Sequence, residues 1–151
     1  LLMAGCPEHV AAAAVLHDVV EDTETSLAEV EKRFGARVAE LVANASEPDR
    51  LASWEARKRH TIEFLRDADE ESLLVAVADK LDNIRSIRED LGLRGEVTWE
   101  RFNRGREEQR WYYESLEAVF RERMNGGVGH CLAELFSGEV KAVFGAGPEG
   151  R

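Results

Sequence analysis

Two stretches of this chain are apolar on every side and then stop at acid. Residues 10–16 run Val-Ala-Ala-Ala-Ala-Val-Leu and meet His17, Asp18, Glu21 and Asp22. Residues 73–78 run Leu-Leu-Val-Ala-Val-Ala and meet Asp79, with Asn83 one turn on. Neither stretch alternates as a half-exposed strand would. A helix that is apolar around its whole circumference belongs inside a protein. The fold must therefore bury two helices and place carboxylates at or near their ends. Such groups are costly unless they are paired, wet or metal-bound.

The rest of the chain is helical in pattern. Its three prolines, Pro7, Pro48 and Pro148, all fall in expected loops. The first helix is expected over 9–20. A second starts at Ser26, where Ser26 and Glu29 form a capping-box pattern, pauses at Gly35 as a left-handed position and resumes to about residue 45. Ser53 caps a helix to about residue 66, and Asp69 caps another to about residue 91. A short turn near residues 99–102 leads to helices over 106–124 and 128–143, then a glycine-rich tail. This predicts an all-α domain of five to seven helices.

Composition excludes several classes. At 151 residues the chain suits one domain. It has 30 acidic and 20 Lys and Arg residues, a net charge of −10, and such a surface repels nucleic-acid backbones. The longest apolar run is seven residues, against about 20 for a membrane span. The opening Leu-Leu-Met-Ala-Gly has no basic flank and does not read as a signal peptide. Two cysteines, Cys6 and Cys131, make no disulfide framework and fit a reducing cytoplasm. An acidic chain that binds a phosphorylated small molecule needs a metal ion or local arginines.

The acid clusters match that need. With His17 at zero, Glu21 falls near about 40°, Asp18 near about 100° and Asp22 near about 140° on a helical wheel. The four groups share one arc. Asp79 and Asn83, at i and i+4, share a face, while Asp82 points to the rim. Two readings stand for each cluster. The first is a solvated helix end, with Asp79 paired to Lys80 or to an arginine. The second is a divalent-metal site, with His17, Asp18 and Asp79 giving one nitrogen and two carboxylates. Such an ion polarises a phosphoryl oxygen and acidifies bound water. Glu21 and Asp22 then orient that water or relay its proton.

Several stretches together carry a resemblance: residues 14–23 (Ala-Val-Leu-His-Asp-Val-Val-Glu-Asp-Thr), residues 27–35 with 38–42, residues 78–85 (Ala-Asp-Lys-Leu-Asp-Asn-Ile-Arg) and residues 111–116 (Trp-Tyr-Tyr-Glu-Ser-Leu). The chain resembles the HD superfamily of metal-dependent phosphohydrolases. Within it, the chain is most similar to the hydrolase domain of RelA/SpoT-type alarmone enzymes and their small single-domain relatives. The resemblance implies an HD-domain helical bundle over 1–124, followed by a C-terminal helix and tail over 125–151. It implies Mn(II), or another divalent metal, held by His17, Asp18 and Asp79. It makes Glu21 and Asp22 the catalytic acidic pair and Asn83 a nucleotide contact. The implied reaction removes the 3′-pyrophosphate of guanosine tetra- or pentaphosphate.

Two departures accompany it. The family carries a further metal-ligating histidine before the His-Asp pair, and this chain begins after that point, so a segment is expected to be missing upstream. His9 is no substitute, because eight helical residues span about 12 Å. The second departure is Asp82, where relatives often carry histidine or an aromatic residue. Lys58, in the basic run 57–59, and Trp111, beside Tyr112 and Tyr113, are further candidates for phosphate and purine contacts; a solvated stripe and core packing are the competing roles. The expected partner is a phosphorylated nucleotide, with no nucleic acid and no membrane. Two alternatives stand beside the main reading: hydrolysis of another nucleotide, such as NADPH or a nucleoside phosphate, and a non-catalytic helical module that binds a nucleotide or partner.

Overall fold

The computed structural model describes residue 1, residues 5–46 and residues 52–145. The expected loop around Pro48 and tail beyond Gly145 lie outside them. Every regular element among the described residues is helical: α1 (Glu8–Leu16), α2 (Val19–Asp22), α3 (Leu27–Phe34), α4 (Ala36–Ala45), α5 (Trp54–Asp67), α6 (Glu70–Arg94), a 3-10 helix (Gly95–Arg101), α7 (Arg106–Arg123) and α8 (Gly127–Phe144). The fold is all-α, as the pattern predicts. The chain forms two compact units, residues 1–79 and residues 80–151, and α6 runs across the division.

In the first unit, local chemistry sets the helix starts. Ser26 and Glu29 close the capping box: the Ser26 N–H donates to Glu29 Oε2 at 2.8 Å, and the Glu29 N–H donates to Ser26 Oγ at 3.3 Å. Gly35 separates α3 from α4 at φ 92°, ψ 161°. This is not the expected left-handed helical position, but it is another conformation that side chains resist. Ser53 accepts from the Ala56 N–H at 3.2 Å and caps α5. Asp69 accepts from the Ser72 N–H at 2.8 Å and starts α6. The unit buries Val10 and Ala13 of α1, Leu41 and Val42 of α4, and Val75 and Val77 of α6. Helix α4 lies closely against both α1 and α3.

Two expectations about the first helix need correction. It is not continuous over 9–20. It breaks at His17-Asp18, because the His17 ring Nδ1–H donates to the Ala14 carbonyl at 2.8 Å. In an unbroken helix that carbonyl would receive the N–H of residue 18. The Asp18 carbonyl then opens α2, accepting from the N–H groups of Glu21 and Asp22 at 3.1 and 2.8 Å. Nor is the helix buried all round. Val15 is 80% exposed and Phe34 49% exposed, and both line an apolar depression of about 440 Å³ with Ala11, Ala12 and Leu16.

In the second unit α6 buries Leu81, Ile84 and Ile87. Helix α8 packs on α7 through Phe136, whose ring meets Phe120 edge-on at 5.3 Å and Tyr113 at 6.1 Å. Phe144 stacks on Trp99 at 5.6 Å. Buried Glu139 of α8 accepts from Arg85 Nε at 3.3 Å and lies 2.9 Å from Arg88 Nη1, two cations of α6.

Candidate functional site

The break between α1 and α2 presents His17 to the acids. His17 Nε2 lies 3.0 Å from Asp18 Oδ2 and 3.2 Å from Asp79 Oδ1. The side chains of His17 and Asp79 keep only 19% and 15% of their accessible surface, and that of Asp18 keeps 63%. The Ala14 carbonyl can only accept, so Nδ1 carries the proton in that bond. Nε2 is thereby turned toward the two carboxylates, the arrangement by which a backbone acceptor fixes the donor nitrogen of a metal-binding imidazole.

The electrostatics favour positive charge at this point. The His17 imidazolium is stabilised, with a pKa of about 9. The hydrogen bond to Asp79 is the largest cause, and it outweighs the opposing effect of burial. The Asp18 carboxyl is pushed up by partial desolvation and by Asp79, Asp22 and Glu21, against the pull of His17. With most of its side chain in solvent, screening keeps that effect modest.

This geometry tests the fit of a divalent ion. Donors about 2.0–2.2 Å from one ion lie about 3.0–3.4 Å from each other, and both His17–carboxylate separations fall there. One imidazole and two carboxylates are a suitable donor set. Among the described residues, no group of three His, Cys, Asp or Glu side chains converges into a finished metal site. Each carboxylate thus meets His17 at a separation that suits two donors of one ion, while the three side chains do not converge on a single point.

The other expected site residues are placed as follows. Glu21 is half-buried and Asp22 exposed, both on α2, and both act electrostatically on Asp18. Lys58 is half-buried on α5. Asn83 is exposed, one turn beyond Asp79 on α6, and belongs to the second unit with Trp111. Of the three aromatics on α7, Tyr112 and Tyr113 are buried, while Trp111 keeps part of its surface accessible. Lys58, Asn83 and Trp111 stand outside the contacts just given for His17. Asp82 is exposed, as its rim position predicts. His9 does not approach His17; it bonds Glu71 at 2.7 Å. Sequence reasoning missed the Ala14 carbonyl. Its signal was positional: a histidine three residues past a carbonyl at a helix end can turn its ring back onto the backbone.

A His-Asp pair at the break after one apolar helix, with an aspartate facing it from within another, defines a class. Residues 1–101 match the HD domain model, and the chain belongs to the HD domain family. It is 44% identical over 81 residues to a Drosophila melanogaster protein named guanosine-3′,5′-bis(diphosphate) 3′-pyrophosphohydrolase MESH1, covering 54% of this chain and 45% of that one. It is 45% identical over 75 residues to the Homo sapiens protein of the same name, covering 50% and 41%. The chain thus spans less than half the length of these curated relatives. A crystal structure of lmo0812 from Listeria monocytogenes EGD-e superposes with a TM-score of 0.85 at 37% identity, over 97% of this chain and 89% of that one.

Proposed function

We propose that this chain is a divalent-metal phosphohydrolase that removes the 3′-pyrophosphate of guanosine tetra- or pentaphosphate. One observation carries the reading: His17 Nε2, fixed by the Ala14 carbonyl, lies within 3.2 Å of two carboxylates in a chain similar to proteins named for that reaction. His17, Asp18 and Asp79 would hold the ion, which we take to be Mn(II). When bound, it supplies Lewis acidity and a lowered pKa for water.

The chain's own residues do the rest. In this reading Glu21 takes the proton of the attacking water and Asp22 passes it to solvent; the half-burial of Glu21 and the exposure of Asp22 support that order. The water oxygen bonds to the phosphorus on the ribose 3′-oxygen. The bond between that phosphorus and the 3′-oxygen breaks, pyrophosphate departs, and the 3′-oxygen takes up a proton. Low dielectric around the partly buried His17–Asp79 pair strengthens each of these interactions. By resemblance, Asn83 contacts the nucleotide; Lys58, by its charge, and Trp111, by its aromatic ring, are the further candidates for phosphate and purine contacts. Among the described residues no helix is long and apolar enough to cross a membrane; the cytoplasmic reading rests on the two free cysteines.

The test is pyrophosphate release from guanosine tetraphosphate with Mn(II), across wild type and Asp79→Ala. Release by wild type and its loss in the variant support the reading. A wild type that binds Mn(II) and hydrolyses only another nucleotide replaces the substrate. A wild type with no release and no Mn(II) binding overturns the assignment.

A further inference from the structure

The helices that carry His17 and Asp79 are joined at two places. His9 of α1 donates from Nε2 to Glu71 of α6 at 2.7 Å, and His17 meets Asp79 at 3.2 Å. Both pairs are 62 residues apart in sequence. On each helix the two contacts are eight residues, or about 12 Å, apart. The helices therefore run in the same direction and in matched register, with a histidine–carboxylate contact at each end.

The upstream contact is anchored further. Arg37 of α4 donates from Nε to Glu71 Oε2 at 2.6 Å, from Nη2 to Asp69 Oδ2 at 2.8 Å and from Nη1 to Glu40 Oε2 at 2.8 Å. Asp69 also caps α6. Glu71 thus uses one oxygen for α1 and the other for α4. Helix α1 makes its close backbone approach to α4, and the two histidine–carboxylate contacts tie it to α6. The His17–Asp79 contact sits at a helix break and one of its partners is already committed to the Ala14 carbonyl. It is poorly placed to set the register by itself. Sliding α1 by one residue moves His17 by about 1.5 Å and turns it by about 100°, which separates it from Asp79.

We infer that His9, Glu71 and Arg37 are positioning residues that set the register of α1 against α6 and thereby hold the His17 imidazole on Asp79. The role toward a metal ion rests on the function proposed above; the role toward His17 itself does not. None of the three is among the residues proposed to hold the ion or the nucleotide. Their effect on the site is mechanical, transmitted along two turns of α1.

The experiment uses the 151-residue chain with His9→Ala, Glu71→Ala, the conservative His9→Gln, and Val42→Ala as a core control that lowers thermal stability without touching the network. Two readouts are taken: the Kd for Mn(II) alone, and the imidazole nitrogen resonances of His17 in metal-free protein. His9→Ala and Glu71→Ala are expected to weaken Mn(II) binding about 10-fold, the scale of outer-sphere partners, and to shift the His17 resonances. His9→Gln, whose amide still donates to Glu71, restores both. Val42→Ala leaves both unchanged. His9→Ala deletes a single hydrogen bond, so it carries the test even where Glu71→Ala unfolds. If His9→Ala matches wild type in both readouts, the inference is overturned. If wild type binds no Mn(II), the metal assignment fails instead, and the His17 resonances alone decide the register.

Discussion

At the residue scale, the controlling detail is which nitrogen of His17 faces the acids. The Ala14 carbonyl occupies Nδ1, so only Nε2 is left for Asp18 and Asp79. His17→Ala and Asp79→Ala are each expected to weaken Mn(II) binding by more than about 100-fold, since even outer partners cost about 10–100-fold; calorimetric titration with the metal checks it. Asp18, more exposed, is the partner with less burial to sustain its pull. Much of this was legible in the sequence. Acids after an all-apolar run demanded a partner, and Asp79 and His17 are that partner for each other. The Ala14 contact was not legible, because a wheel drawn at constant angle assumes the ladder that the His17 ring interrupts. Lys58 and Trp111 stand out in the sequence by charge and by aromatic type, and neither property specifies a direction.

Elements explain why some boundaries were read correctly. Ser26, Ser53 and Asp69 are short polar residues before helical periods, and each caps its helix through its own side chain. Ser26→Ala is expected to destabilise the protein by about 1 kcal/mol, measured by urea unfolding. The first helix differs from its sequence pattern for two reasons. Its break depends on a side-chain bond, and its alanines make the outward and inward faces alike. Val15→Ser on that outward face is expected to change stability by no more than about 0.5 kcal/mol. Phe136→Ala, at the α7–α8 contact where the ring is wholly buried, is expected to cost about 3–5 kcal/mol. In the last helix Leu132 and Phe136 face inward and Leu135 stays half exposed, a choice that only packing against α7 decides.

Over the whole molecule, the charge of −10 is partly organised into networks that titrate. Arg37 holds the Glu71 carboxyl below its ordinary range, with His9 assisting. Partial burial pushes Asp69 up, but Arg37 and Ser72 outweigh it and leave it lowered. A lowered carboxylate contributes stability that is complete above its unfolded pKa and is lost as pH falls through its folded pKa. Stability is therefore expected to decline as pH falls below about 4, and less steeply in Glu71→Gln, as followed by urea unfolding across that range. The matched spacing of α1 and α6 also bears on which length changes the gene can accept. A codon gained or lost between His9 and His17, or between Glu71 and Asp79, rotates one contact away while leaving the other in place. Substitutions within those intervals are constrained only by packing, but the intervals themselves must keep their length. An insertion–deletion scan should find both helices closed to single-codon changes at positions where point replacements pass freely.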